Sequence, residues 1–231
     1  MTDSTWLIKD DKVNPYTFFQ EVFIFYIFWW TMYNNVGNVM VDNSLFNRLP
    51  IEKRIEAKTR IISSIHAIIL TTSSLCYLLD YINYVSYINF IPLSSAFGIF
   101  DMTIITLNYR YFKKGYVSTM IHHSIVVYAP VTFTSEYAKL IAQAYMFETT
   151  VPLIDTSWYL YNAKFNNTLG FKLNSIIALI VFFIVRVINS MYITYVIVWR
   201  DSNAAIFFSL VFLGLNIYWF KLLICLYLGI Y

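Results

Sequence analysis

Long apolar runs recur from Phe18 to the end of this 231-residue chain, and nothing else in it constrains the fold as strongly. A helix that crosses the hydrocarbon of a bilayer needs about 20 mostly apolar residues. Seven segments qualify, at about residues 17–35, 61–81, 91–109, 116–134, 137–161, 173–199 and 204–229. The chain is 59 % hydrophobic and only 13 % charged, which excludes an ordinary soluble domain. The expected fold is therefore all-α, a multi-pass transmembrane helical bundle with no separate soluble domain. A net charge of +3 is no footprint of a nucleic-acid binder, because the basic residues sit at the ends of the apolar runs.

The first segment carries Gln20 and Glu21 early, so an interfacial helix is the alternative to a span there. The polar residues before it hold no short apolar core with a small-residue cleavage site, which reads as a retained anchor. The connector from about 36 to 60 has Ile51 and Ile55 four apart among Arg48, Lys53, Arg54, Lys58 and Arg60, a pattern suited to a short amphipathic helix at the headgroups. Ten Lys/Arg lie on one side of the bundle: those five, with Arg110, Lys113, Lys114, Lys164 and Lys172. Lys9, Lys12, Lys139 and Arg200 lie on the other. The positive-inside rule then puts the N-terminus in the lumen or outside and the C-terminus in the cytosol. Asn166-Asn167-Thr168 falls on the cytosolic side and is expected to stay unglycosylated.

Ionisable groups inside spans are expensive and mark candidate functional sites. At about 1.5 Å per residue, His122 and His123 lie roughly 10 Å from the cytosolic end of their span, with Asp101 and Lys221 at a similar depth and His66 and Asp155 slightly shallower. Glu148 and Arg186 come out near mid-membrane. There, a bidentate carboxylate–guanidinium pair shares a cost that neither charge bears alone. Pro152 has no N–H to offer the carbonyl of Glu148, so Arg186 has both the carboxylate and that carbonyl to satisfy. The pair reads as a structural tie or as a ligand contact. In the shallower layer, adjacent helical residues diverge by about 100°, so His122 and His123 face different ways. Asp101 is placed to orient one imidazole and leave its other nitrogen as a general base, against the plainer reading of a packing pair. Ser63, one turn before His66, is a local partner for that ring, and Lys221 suits a snorkelling role.

Other chemistries fail on residue supply. Three histidines are too few for a multi-histidine di-iron centre, and Cys76 and Cys225, each within a span, offer neither a disulfide framework nor a zinc site. No phosphate loop or Gly-x-Ser-x-Gly elbow occurs. No metal or other resident cofactor is expected.

Taken in order, the motifs resemble the TLC-domain family (TRAM, LAG1 and CLN8 homology). Ser63-Ser64-Ile65-His66, Phe97-Gly98-Ile99-Phe100-Asp101, Ile121-His122-His123, Glu148-Thr149-Thr150-Val151-Pro152 with Trp158, Phe182 to Arg186, and Leu215 to Phe220 follow the family's succession over residues 60–229. The resemblance implies a six-helix barrel-like bundle around a lipid-sized cavity (residues 60–231), preceded by an N-terminal region (residues 1–59) with one extra span and the basic connector. It implies binding of acyl lipids and an influence on membrane lipid composition, in the endoplasmic reticulum. It also maps Asp101, His122 and His123 onto the polar cluster of ceramide synthases, so the alternative is an acyltransferase using acyl-CoA, a sphingoid base as acceptor and a histidine as general base. His66, Glu148, Asp155, Arg186 and Lys221 would then be lipid-binding or structural polar residues. Asp155 and Ser157 depart from the residues usual in the small family members. Membrane lipids are the expected partners, with room for a homo-oligomer.

Overall fold

A computed structural model describes residues 8–9, 12–113, 115–132, 137–200 and 203–227. Two short strands, β1 (Ile8–Lys9) and β2 (Lys12–Val13), pair antiparallel, and the remaining regular structure of the described residues is helical. Helix α1 (Pro15–Met32) begins with proline at its first position and Asn14 accepting from the Tyr16 amide at 3.1 Å, the arrangement a helix start favours. It continues through a π-helical stretch (Tyr33–Gly37) into α2 (Asn38–Asp42), and a 3₁₀ turn (Leu45–Arg48) leads to α3 (Ile51–Leu78). Then follow α4 (Tyr84–Ile88), α5 (Phe90–Leu107), α6 (Tyr109–Phe112), α7 (Tyr116–Thr132) and α8 (Ala138–Tyr145). After a 3₁₀ turn (Met146–Thr149) come α9 (Thr150–Asn162), α10 (Leu169–Phe182), a second π-helical stretch (Phe183–Ile188), α11 (Asn189–Arg200) and α12 (Asn203–Tyr227). Helices α3 and α9 both end on a left-handed residue that is not glycine, Asp80 at φ 59° and Lys164 at φ 66°. In both caps the next amide reaches back to close the turn, Tyr81 to the Cys76 carbonyl and Phe165 to the Leu160 carbonyl, each at 2.8 Å.

Among the described residues, four helical stretches are long and apolar enough to cross a membrane: Ile51–Leu78, Tyr84–Leu107, Leu169–Trp199 and Ala205–Tyr227. The seven spans expected from the sequence are thus matched at four places. Helix α1 has 18 residues but carries Gln20 and Glu21 in its second turn, and α7 has 17. The 137–161 segment is no single helix, because the chain tightens into a 3₁₀ turn just before Pro152. Residues 133–136, at the edges of two expected spans, lie outside the described residues. The basic connector also differs from expectation. From Ile51 on it forms no separate amphipathic helix but the first turns of α3, one continuous 28-residue helix that also runs through the expected domain boundary at residue 60. At about 1.5 Å per residue such a helix exceeds the roughly 30 Å hydrocarbon layer, so its charged turns have room outside it. Glu56 binds those turns together, pairing with Lys53 at 2.9 Å and Arg60 at 3.0 Å.

The chain divides into two compact units, residues 1–142 and 143–231. In the first, α5 is the central element: twelve of its eighteen residues are buried, and it packs against α1, α3 and α7. Trp29 of α1 is fully buried and donates its indole N–H to the Leu93 carbonyl of α5 at 3.1 Å. In the second unit, Phe182, Val187 and Leu223 form an apolar centre with Ile154, Leu179, Trp219, Phe220 and Tyr227 around it.

The distribution of polarity identifies the solvent independently of hydropathy. His66, Ser94, Ser95, Asp101, His122 and His123 are buried in the first unit, and Asp155, Ser175, Arg186, Thr194 and Asn216 in the second. Meanwhile Ile176, Ile180, Phe183, Ile184, Ile188, Met191 and Tyr195 lie exposed along one face of the Leu169–Trp199 helix. Buried ionisable and polar side chains behind an exposed face of large apolar ones are unusual in a water-soluble domain and suit helices that face lipid.

Candidate functional site

The first unit gathers four of the expected residues. His123 of α7 and Asp101 of α5 meet through the imidazole Nε2 and the carboxylate Oδ2 at 2.7 Å, both buried. The His122 ring lies 5.1 Å from the His123 ring at 63°, so the pair diverges as helical geometry requires, and His123 is turned to α5. Phe97, one turn before Asp101, fills the centre of the cluster. Its ring stacks on His66 of α3 at 4.0 Å and 9°, and meets His123 edge-on at 6.1 Å and Trp29 at 5.4 Å. Ser94, Phe97, Gly98 and Asp101 follow the i, i+3, i+4, i+7 pattern that places them on one face of α5.

His66 is 3 % exposed, and neither of its ring nitrogens has a hydrogen-bond partner among the described residues. The expected contact with Ser63 is not made. The ring stacks instead on Phe97, and Trp29 meets both of these rings edge-on, so that packing holds it. The second carboxylate oxygen of Asp101, Oδ1, and the hydroxyls of Ser94 and Ser95 are likewise buried without a partner among the described residues. Buried polar groups are normally bonded, so four such side chains in one unit mark a place where hydrogen-bonding capacity is left over.

Gly98 lets α5 approach α7 at this point. A Cβ there would stand 3.2 Å from Val127 Cγ2 and 3.6 Å from His123 Nδ1. The bare glycine backbone thus faces the Nδ1 side of the His123 ring. Gly98→Ala sets a helix-propensity gain of about 1 kcal/mol against an overpacking cost of about 1–3 kcal/mol. A helical valine has one strongly preferred rotamer, so the crowding is expected to win by roughly 1 kcal/mol. Thermal unfolding in detergent checks this, and a stabilised Gly98→Ala would show that α5 and α7 do not press together here.

The second unit joins Glu148 and Arg186, though not in the expected way. Arg186 Nη2 stands 3.9 Å from Glu148 Oε1, an ion pair too long for the bidentate geometry foreseen. Its Nε donates to the carbonyl of Phe147 at 3.0 Å and to the Thr150 hydroxyl at 2.8 Å, so the carbonyl taken is Phe147's and not that of Glu148. The guanidinium also lies over the rings of Phe182, at 5.3 Å, and Trp219, at 5.7 Å. Two departures from α-helix aim these groups: the 3₁₀ turn Met146–Thr149 carries Glu148, and the π-helical stretch Phe183–Ile188 carries Arg186. Asn189 adds a second tie, donating to the Gln143 carbonyl at 2.8 Å.

Asp155 is buried on α9, and near it Ser157 accepts from Asn174 and Tyr227, each at 2.8 Å. Lys221 stands on the exposed face of α12, apart from the buried polar groups. The sequence pattern assigned no role to Trp29, Thr150, Asn189 or Asn216. A threonine two residues before a proline, or a lone asparagine within an apolar run, was the available signal. Cys76 and Cys225 are free, and among the described residues no three His, Cys, Asp or Glu side chains are grouped to hold a metal ion. Compared with family models, curated proteins and solved structures, the chain finds no match.

Proposed function

We propose that this chain is a small TLC-domain membrane protein that binds acyl lipids and adjusts membrane lipid composition. One observation carries the reading. Within an apolar-faced unit, the Asp101–His123 pair lies buried with the second Asp101 oxygen and both His66 nitrogens unspent, which is what a lipid headgroup needs to be held away from water. The order of the TLC-like motifs supports it. In this reading α1, α7 and the α8–α9 segment complete a seven-span bundle, with the N-terminus lumenal, the C-terminus cytosolic and the endoplasmic reticulum as its membrane.

The 2.7 Å His123–Asp101 contact favours a second reading, acyl transfer of the ceramide-synthase kind. Asp101 would fix the imidazole, and a histidine nitrogen would take the proton of a sphingoid amine as its nitrogen forms the amide bond. The thioester C–S bond of acyl-CoA breaks, and the departing thiolate takes up the proton. Whole-lipid mass spectrometry separates the readings, on cells lacking the gene and complemented with wild type or with His122→Ala/His123→Ala at matched expression. Lipid binding predicts a graded change across several lipids with the double variant. Acyl transfer predicts complete loss of one acylated product while its precursor accumulates. A lipid profile indifferent to the gene itself would sink both.

A further inference from the structure

Asn216 of α12 is 0 % exposed, and neither its amide oxygen nor its amide nitrogen has a hydrogen-bond partner among the described residues. It stands near the middle of the 23-residue apolar stretch Ala205–Tyr227, where an unsatisfied amide is especially costly. Its neighbours on the same helix face locate it. Phe212, one turn earlier, stacks on Phe147 at 5.5 Å, and Trp219, one turn later, faces the Arg186 guanidinium at 5.7 Å. Phe147 is the residue whose carbonyl Arg186 holds, so Asn216 lies between two side chains that both touch the Arg186 assembly.

Arg186 has capacity left as well. It is 5 % exposed, its Nε makes both of its hydrogen bonds among the described residues, and its Nη2 reaches Glu148 only as a 3.9 Å ion pair. Asn216 therefore offers amide donor and acceptor atoms, and Arg186, touched by Trp219 one turn along the same helix, offers guanidinium N–H donors. The charges of Arg186 and Glu148 cancel. A phosphate or carboxylate ligand would meet Glu148, and an ammonium would meet Arg186, so the ligand chemistry that fits is uncharged and hydrogen-bonding.

We propose that the second unit binds an uncharged lipid bearing a hydroxyl and an ester carbonyl, such as a diacylglycerol, with Asn216 pairing its polar group and Arg186 donating to it. This site is built on residues other than the His–Asp cluster and stands or falls separately from the role given to that cluster.

The test is ligand-induced thermal stabilisation of the full-length protein in lipid-depleted detergent, with 1,2-dioleoylglycerol as probe and oleate and dioleoylphosphatidylcholine as comparators. Wild type is expected to show a saturable rise in unfolding midpoint with dioleoylglycerol and not with the comparators. Asn216→Leu is expected to need about tenfold more dioleoylglycerol for half the effect, the loss of roughly one good hydrogen bond. Its lipid-free midpoint should be unchanged or higher, since leucine removes a buried amide and leaves no partner behind. A fall in the lipid-free midpoint would make Asn216 a structural residue and overturn the proposal, whatever the lipid does. A wild type unresponsive to dioleoylglycerol, one responding equally to oleate or phosphatidylcholine, or a variant with wild-type lipid response also overturns it. If Asn216→Leu does not fold for want of space, Asn216→Ala is judged on its dioleoylglycerol response alone, because the cavity it leaves lowers the lipid-free midpoint by itself; a wild-type response there overturns the proposal.

Discussion

Arg186→Met is expected to destabilise the second unit by about 3–5 kcal/mol, the usual cost of removing one member of a buried charge pair. The substitution removes the cation facing Glu148 at 3.9 Å and the donor that holds the Phe147 carbonyl at 3.0 Å and the Thr150 hydroxyl at 2.8 Å. It also removes the guanidinium from the rings of Phe182 and Trp219, while a methionine of similar length keeps most of the apolar packing. Arg186→Lys should fall between, because an ammonium keeps the charge but not the planar fork. Adding Glu148→Gln to Arg186→Met should recover a large part of the loss, since the charge left behind is the main cost. Denaturant unfolding in detergent reads these changes. A single variant within about 1 kcal/mol of wild type would show that the pair carries little weight and that the Phe147 and Thr150 contacts are replaceable.

The second large effect is expected at His123, and its sign pattern matters more than its size. His123→Leu leaves Asp101 buried with no donor on either oxygen, because Oδ2 is bonded to His123 and Oδ1 has no partner among the described residues. Its cost should be about 3–5 kcal/mol, the cost of an uncompensated buried charge. Asp101→Leu strands only one imidazole nitrogen and should cost about 1–3 kcal/mol. The double variant should be more stable than His123→Leu alone. Costs that simply add would mean that the two residues are not coupled, against their 2.7 Å contact. Asp101→Asn retains an acceptor for Nε2 and should stay within about 1 kcal/mol of wild type, which makes it the variant of choice when the lipid profile is tested without loss of protein.

The helical fold and four helices long and apolar enough to cross a membrane were legible from apolar run length, because a crossing helix needs about 20 mostly apolar residues. The polar candidates were legible for a related reason: an ionisable residue within such a run is rare enough to stand out. Asp101 with His123 and Glu148 with Arg186 are paired in the structure, and a charge in that setting needs a counterpart wherever the chain can supply one. The geometry of each pair was not legible. That Arg186 takes the Phe147 carbonyl depends on a 3₁₀ turn and a π-helical stretch, local departures from α-helix whose few-tenths-of-a-turn rotations leave no periodic mark in the sequence. That His66 faces Phe97 instead of Ser63 depends on α1 delivering Trp29 against the edges of both rings, a contact between residues far apart in the chain.

Sequence alone thus determined the solvent this chain is built for and which side chains cannot be idle in it, since both follow from the cost of transferring single residues into hydrocarbon. Only the tertiary structure decided who bonds to whom, and hence that Asn216 and His66 keep unspent hydrogen bonds among the described residues, because partnership is set by helix packing and by small departures from ideal helix.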